Sequence, residues 1–395
     1  MKCSIRSFIA KDGERISQLF ADGFPLFYPT AYISRSIRPN STHETQKVYL
    51  ETIKRICEWE SQHKLDLSDR FGKSLYLKPG ELDSLVVHLG KRRRGKKGDV
   101  ISRNKHNTFI FYAADYLTWI AIETADAGDP KIDHGIKQQQ QAMSARKIRK
   151  SGSLSAAKQK IAFTHLPKSA EEVLLSLFDD PFEGINREAG KAPRLRNIVM
   201  LRILYETGMR RGELLSLKLR SFQESGGGEG AFLEIERNHS DEFDSRLRQP
   251  VAKTLGRIVP ISDKAEQQLV DYLMNWRADV PHVGFSENDF LFVNHRAGRN
   301  QGKPITETTF NSAISQLKSI FPELDPIYPH LFRHDWNYRF SKKTEDWVFE
   351  KEREVREKLM GWAPGSEMSL LYNQRKIQEL ANQVGRLIAC DTSKR

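Results

Sequence analysis

Cysteine is scarce. Cys3, Cys57 and Cys390 are the only three in 395 residues, odd in number, far apart and never in a C-x-x-C pair. That excludes a disulfide framework and a cysteine-built zinc site, and it fits a reducing compartment. Long apolar runs are missing as well. The longest, 108–122, carries Asp115 and two tyrosines and is too short and polar to cross a bilayer. The opening residues, MKCSIRSFIAKDGER, lack a long apolar stretch with a small-residue cleavage site, so no secretory leader is expected. There is no G-x-x-x-x-G-K-[ST] phosphate loop and no carboxylate cluster suited to Mg²⁺, so no cofactor is expected. Acidic residues are in the minority, 51 against 63 basic ones, for a net charge of +12. With 38% hydrophobic and 29% charged residues, collagen-like and wholly disordered chains are excluded. At roughly 150 residues per domain, the length implies two or three domains.

The positive charge is concentrated. Lys137, Arg146, Lys147, Arg149, Lys150, Lys158, Lys160 and Lys168 fall in one stretch without an acidic residue, rich in Gln, Ser and Ala. It reads as a basic interdomain linker over 137–166. A second run, Lys91, Arg92, Arg93, Arg94, Lys96 and Lys97, follows the apolar segment 82–89. One such run is often just a solvated face. Two of them favour a polyanion, and double-stranded DNA leads, because phosphate neutralisation by Lys and Arg releases counterions.

Residues 1–35 are mixed and read as a small arm. From Ser41 the pattern is helical: Ser41 or Thr42 can cap, Glu44 suits a capping box, and Val48, Leu50, Ile53, Ile56 and Trp59 recur at helical spacing. Further helices are expected over 81–89 and from about Asn107, and no alternating strand is evident before residue 160. The segment 36–136 is therefore expected to be a helical bundle. From 167 onward a new domain opens with a helix capped at Ser169, then an apolar helix over 195–205 that ends at Gly208. Strands are expected at 231–237 and 257–261, with helices from Lys264. The second domain reads as mainly α with a small antiparallel sheet.

Three segments carry chemistry. In 207–217, TGMRRGELLSL, Gly208 suits a helix end and Arg210 the turn before the next helix; an Arg beside a helix N-terminus makes an anion site. In 330–334, HLFRH, His330 and Arg333 share a helical face. A zinc pair is disfavoured because no Cys or carboxylate stands at ligand spacing. Finally 358–362, KLMGW, precedes Tyr372 by ten residues. Each alone is bland: a surface arginine, a structural histidine, a packing tyrosine.

In this order, T-G-x-R-x-x-E, then H-x-x-R, then L-x-G-W followed by Tyr, the set resembles the tyrosine recombinases of the phage integrase family over about 165–390. The resemblance implies a mainly α (α+β) protein in which a helical core-binding domain is joined by a basic linker to a recombinase catalytic domain, 167–395. It implies that Arg210, His330, Arg333 and Trp362 surround the scissile phosphate, that Glu213 and His334 support them, and that Tyr372 is the nucleophile. Lys253, in VAKTLGRIVP, matches the family's hairpin lysine. The loop 238–250 is longer than a tight hairpin, and Trp362 to Tyr372 is about one residue longer than the pattern.

Cleaving a phosphodiester without metal needs positive charge on a five-coordinate phosphorus, which two guanidiniums supply bidentately. Tyrosine ionises near 10, so it needs activation, and a lysine suits proton delivery to the leaving 5′-oxygen. The 3′-phosphotyrosine conserves the bond energy, so no ATP is required. Expected partners are DNA with a specific site, further copies in a homotetramer, and accessory DNA-bending proteins, with no membrane and a cytoplasmic, nucleoid-associated location. DNA contacts are expected from Lys91, Arg92, Arg93, Arg94, Arg146, Lys147, Arg149 and Lys150. The apolar stripe Ile377, Leu380, Val384, Leu387, Ile388 suits packing on its own domain or docking on a neighbouring copy. A non-catalytic DNA-binding regulator and a type IB topoisomerase remain as alternatives.

Overall fold

The computed structural model describes residues 2–92, 99–125, 129–149, 164–185 and 187–392. The chain divides into two units, Met1–Ser151 and Gly152–Arg395. No helix among the described residues is long and apolar enough to cross a membrane.

The first unit opens with strands where none were expected. β1 (Cys3–Ile9) and β2 (Arg15–Ala21) form an antiparallel hairpin, and β3 (Phe24–Pro25) adds an edge. The alternation escapes a hydrophobic reading because the inward positions of β2 include Arg15 and Ser17 beside Leu19, all buried. The Asp12-Gly13 pair was the available signal: Gly13 takes φ of 81° in the connecting turn. Helices α1 (Phe27–Tyr32), α2 (His43–His63), α3 (Leu67–Gly72), α4 (Pro79–Gly90), α5 (Arg103–Thr124) and α6 (Pro130–Ala145) follow. Leu50, Ile53 and Ile56 of α2 meet Leu82, Leu85 and Leu89 of α4 and Phe109, Ile110 and Ala113 of α5 in one core. Asp115, the polar intruder in the apolar stretch, accepts hydrogen bonds from Tyr32 (2.6 Å) and Tyr49 (3.2 Å). The expected capping box at α2 does not form at Thr42, whose side chain makes no cap bond; Glu44 pairs with Lys47 instead.

The glutamine-rich start of the expected linker is helical. Asp129 caps α6 and Pro130 opens it, while Ile136, Gln139 and Met143 recur at helical spacing and are buried. Gln139 accepts a hydrogen bond from the Leu77 N–H, so polar composition here conceals a docked face.

The second unit is built around α8 (Lys191–Thr207), which is buried on nearly every side, with Ile198, Val199, Met200, Leu201, Ile203 and Leu204 in its core. Such all-round burial marks a central helix. Around it stand α7 (Lys168–Asp179), α9 (Arg211–Ser216), α10 (Asp263–Asp271), α11 (Glu307–Ile320), α12 (Pro329–Lys343), α13 (Phe349–Met360) and α14 (Glu367–Thr392). The sheet is antiparallel, ordered β4 (Phe222–Gln223), β5 (Phe232–Ile235), β6 (Arg257–Pro260). The long loop before β6 is ordered by buried ion pairs, Lys218 with Asp241 and Arg246 with Asp244. Arg246 also donates to the carbonyls of Leu215 and Ile305.

Candidate active site

Gly208 ends α8 at φ of 62°, a left-handed conformation that glycine adopts without steric cost. The next turn carries Arg210, the N-cap residue of α9. Its backbone N–H donates to Glu213 (2.9 Å) and its guanidinium reaches the same carboxylate (3.3 Å). Glu213 is fully buried. It also accepts hydrogen bonds from the Thr254 hydroxyl (2.6 Å) and Arg257 (2.8 Å). Burial alone would push its pKa up. The Arg257 guanidinium beside it outweighs that, helped by Arg333 and Thr254, and holds the carboxyl at about 2.

One face of α12 supplies the second group. Arg333 is buried and donates to the carbonyls of Gly208 (3.1 Å) and Met360 (3.0 Å), which tie the ends of α8 and α13 together. Burial, with Arg210 nearby, pulls its guanidinium down to about 9. His330 lies at the surface, edge-on to His334 with ring centroids 4.5 Å apart. Desolvation, then Arg333 and Arg210, lower the His330 imidazole. His334 is buried, and its Nδ1 lies 2.8 Å from the Tyr372 hydroxyl. Desolvation, then His330 and Arg333, push His334 down to about 4, so near neutral pH it is uncharged and its ring nitrogen can accept a hydrogen bond from the phenol.

Trp362 and Tyr372 complete the cluster. Their rings stack with centroids 5.8 Å apart and 9° between planes, and the Arg333 guanidinium sits 5.3 Å from the Trp362 ring. The buried indole N–H of Trp362 has no hydrogen-bond partner among the described residues, an unused donor inside the site. Tyr372 is 3% exposed. Burial pushes its phenol up to about 12, against the pull of Arg333, Arg356 and Arg210. The extra length between Trp362 and Tyr372 is taken up by a turn that Glu357 pins: its carboxylate accepts from the Gly365 N–H (3.1 Å) and the Ser369 hydroxyl (2.8 Å).

The structure therefore brings Arg210, Glu213, Arg333, His330, His334, Trp362 and Tyr372 together. Lys253 is exposed in the irregular segment before β6, next to Thr254, whose hydroxyl donates to Glu213. Sequence reasoning missed Thr254, Arg257 and Glu357, whose roles depend on partners 41, 44 and 12 positions away.

In the first unit Lys91, Arg92 and Arg149 are exposed. Arg146 is taken up internally, bonding to Asp83 and to the carbonyls of Ala142 and Pro79. It sits just past the end of α6, where a cation meets free carbonyls. Lys147 lies 4.8 Å over the Phe111 ring. Arg93, Arg94 and Lys150 fall outside the described residues. In α14 the stripe residues Ile377, Val384, Leu387 and Ile388 are more than half exposed, so they do not pack on their own unit; the Leu380 side chain falls outside the described residues.

Comparison with known proteins agrees with this geometry. The chain is 29% identical over 178 residues to the tyrosine recombinase XerD of Halalkalibacterium halodurans, covering 43% of this chain and 50% of that one. It is 28% identical over 159 residues to the tyrosine recombinase XerC of Pediococcus pentosaceus, covering 39% and 44%. The chain thus spans about half the length of the curated relatives it matches. Its fold resembles that of the XerH site-specific recombinase bound to difH substrate in a pre-cleavage complex (TM-score 0.54, 18% identity, 85% of this chain and 79% of that one). It also resembles the Tn1549 transposon integrase in complex with circular intermediate DNA (TM-score 0.50, 17% identity, 87% and 93%). Residues 179–376, half of the chain and the span holding all the clustered residues above, match the phage integrase family, and the chain belongs to that family of tyrosine recombinases.

Proposed function

We propose that this protein cuts and rejoins DNA at a specific site through a 3′-phosphotyrosine on Tyr372, serving the integration, excision or transposition of a mobile element. One observation carries the reading. The Tyr372 hydroxyl lies against a neutral imidazole, with an indole on its ring and two guanidiniums within the same cluster. A phenol held at about 12 is protonated near neutral pH and needs a base as it attacks. In the step, the phenolic oxygen bonds to phosphorus, its proton passes to His334 Nδ1, and the bond from phosphorus to the 5′-oxygen breaks. Lys253 then protonates the leaving oxygen. Arg210 and Arg333 neutralise the non-bridging oxygens. Each Arg333 terminal nitrogen that bonds a carbonyl keeps a second hydrogen for the phosphate. His330 and the unused Trp362 N–H serve as further donors. Glu213 holds Arg210 in place from the buried side. Because Tyr372 is buried, a phosphate reaches its hydroxyl only once the start of α14 shifts, which couples DNA binding to activation.

Lys91, Arg92 and Arg149 offer exposed charge for the DNA backbone. The solvent-facing stripe of α14 suits docking on a second copy in a homotetramer on DNA. Support for a site-specific substrate comes from the fold shared with XerH, whose structure holds its difH site, and support for a mobile element from the Tn1549 integrase. Accessory DNA-bending proteins would assist synapsis in the nucleoid.

The test is denaturing capture and sequencing of covalent protein–DNA adducts from cells expressing the protein beside its native flanking DNA. Adducts at one sequence, lost in Tyr372→Phe while DNA binding persists, are expected. Adducts that survive the substitution would overturn the reading, and adducts without sequence preference would replace it with a topoisomerase.

A further inference from the structure

Arg356 on α13 is among the most buried side chains of the protein, at 0% exposure. Its Nη2 donates to the Ser341 hydroxyl (2.8 Å) and pairs with the equally buried Glu352. Its Nε and Nη1 are buried with no hydrogen-bond partner among the described residues. An arginine stays charged and carries five donors, so an internal one with idle donors is a costly choice for packing alone. What it faces is the nucleophile: the guanidinium carbon lies 5.8 Å from the Tyr372 ring centroid and 4.9 Å from that of Phe340. Both distances lie within cation–π range. A chain of contacts thus runs from Arg333 to Trp362, to Tyr372, to Arg356. Among the described residues, the other charged or titratable groups facing Tyr372 are Arg333 and His334 on α12, Arg210 before α9, and Tyr328 at the start of α12, with His330 edge-on to His334. In the step above Arg210 and Arg333 serve the phosphate; Arg356, paired with Glu352 and facing the Tyr372 ring, has no part in it.

We propose that Arg356 is a positioning residue for Tyr372, holding its ring against Trp362 and stabilising the negative charge that develops on the phenolic oxygen as its proton leaves. This rests on the reading of Tyr372 as nucleophile. In the attack the phenolic O–H breaks, its proton goes to His334, and its electron pair forms the bond to phosphorus. The pair of the broken phosphorus–oxygen bond leaves with the 5′-oxygen, which takes a proton from Lys253. Arg356 exchanges neither protons nor electrons. Glu352 tempers it by offsetting part of its charge.

The test places 2,3,5-trifluorotyrosine, a more acidic phenol, at position 372 of the full chain and follows its ionisation by fluorine NMR without DNA. R356M, which keeps much of the side-chain volume, is expected to raise the midpoint by about one unit, a tenfold loss of acidity, as removal of a nearby cation does. R356K should restore most of it. E352Q should move the midpoint the opposite way, a change that a purely structural role does not produce, and it decides the matter if R356M does not fold. Unchanged midpoints in both R356M and E352Q would overturn the proposal. In the adduct assay, R356M should slow covalent capture and displace its pH profile to the alkaline side. Absence of adducts from the unsubstituted protein would instead refute the recombinase reading, while the fluorine titration still reports on Arg356.

Discussion

Replacing Glu213 by Gln removes one negative charge from a buried network while keeping the side chain's shape. The carboxyl is held at about 2 against an ordinary 4.5, which corresponds to a folded-state stabilisation on the order of 3 kcal/mol. That agrees with the ~3–5 kcal/mol expected when one partner of a buried ion pair is removed, here leaving Arg257 without its carboxylate. In a unit of this size, about 3 kcal/mol lowers the melting temperature by roughly 6–12 °C. The folded pKa lies below the unfolded one, so the contribution is complete above 4.5 and is lost as pH falls from there towards 2. At pH 3.5 it should have shrunk by about 1 kcal/mol. Denaturant melts of the wild type and Glu213→Gln at pH 7 and pH 3.5 measure both effects. A difference below about 1 kcal/mol at pH 7, or one that does not narrow at pH 3.5, would refute the electrostatic account of this network.

Gly361 sits at φ of 65°, and an added Cβ would lie 2.7 Å from the Arg257 guanidinium and 2.8 Å from the Leu255 carbonyl. Gly361→Ala should therefore cost at least ~1 kcal/mol in a thermal melt and also loosen the loop bearing Lys253. Lys253→Ala should abolish cleavage of ordinary DNA yet cleave DNA carrying a 5′-bridging sulfur, a leaving group needing no proton; absence of that rescue would remove Lys253 as the acid. His334→Ala should slow single-turnover adduct formation by about a hundredfold or more. Because the His334 imidazole is held at about 4, the wild-type rate should show no loss from its protonation between pH 7 and 5.5. A decline there that His334→Ala abolishes would contradict the assigned base.

The helices of both units were legible because their apolar residues recur at helical spacing: Val48 to Trp59 in α2 and the run through α8 announce themselves. The β1–β2 hairpin did not, since an inward face holding Arg15 and Ser17 carries no hydrophobic alternation. The α6 helix was hidden by its glutamines, one of which is buried because it satisfies a backbone N–H on another segment.

The order of residue types fixed the chemistry that the site can perform: arginine, histidine and arginine, tryptophan and tyrosine, each on its own recurring motif. Folding decided which atoms meet. The pairing of His334 with the Tyr372 hydroxyl spans 38 positions, and that of Arg257 with Glu213 spans 44. No local pattern encodes either, because a charge–charge or hydrogen-bond partner is selected by packing in three dimensions and by the loss of water around it. The same holds for Arg356. Along the chain it is one more charge on a polar helix, and only burial beside Phe340 and Tyr372 turns it into a cation aimed at a phenol.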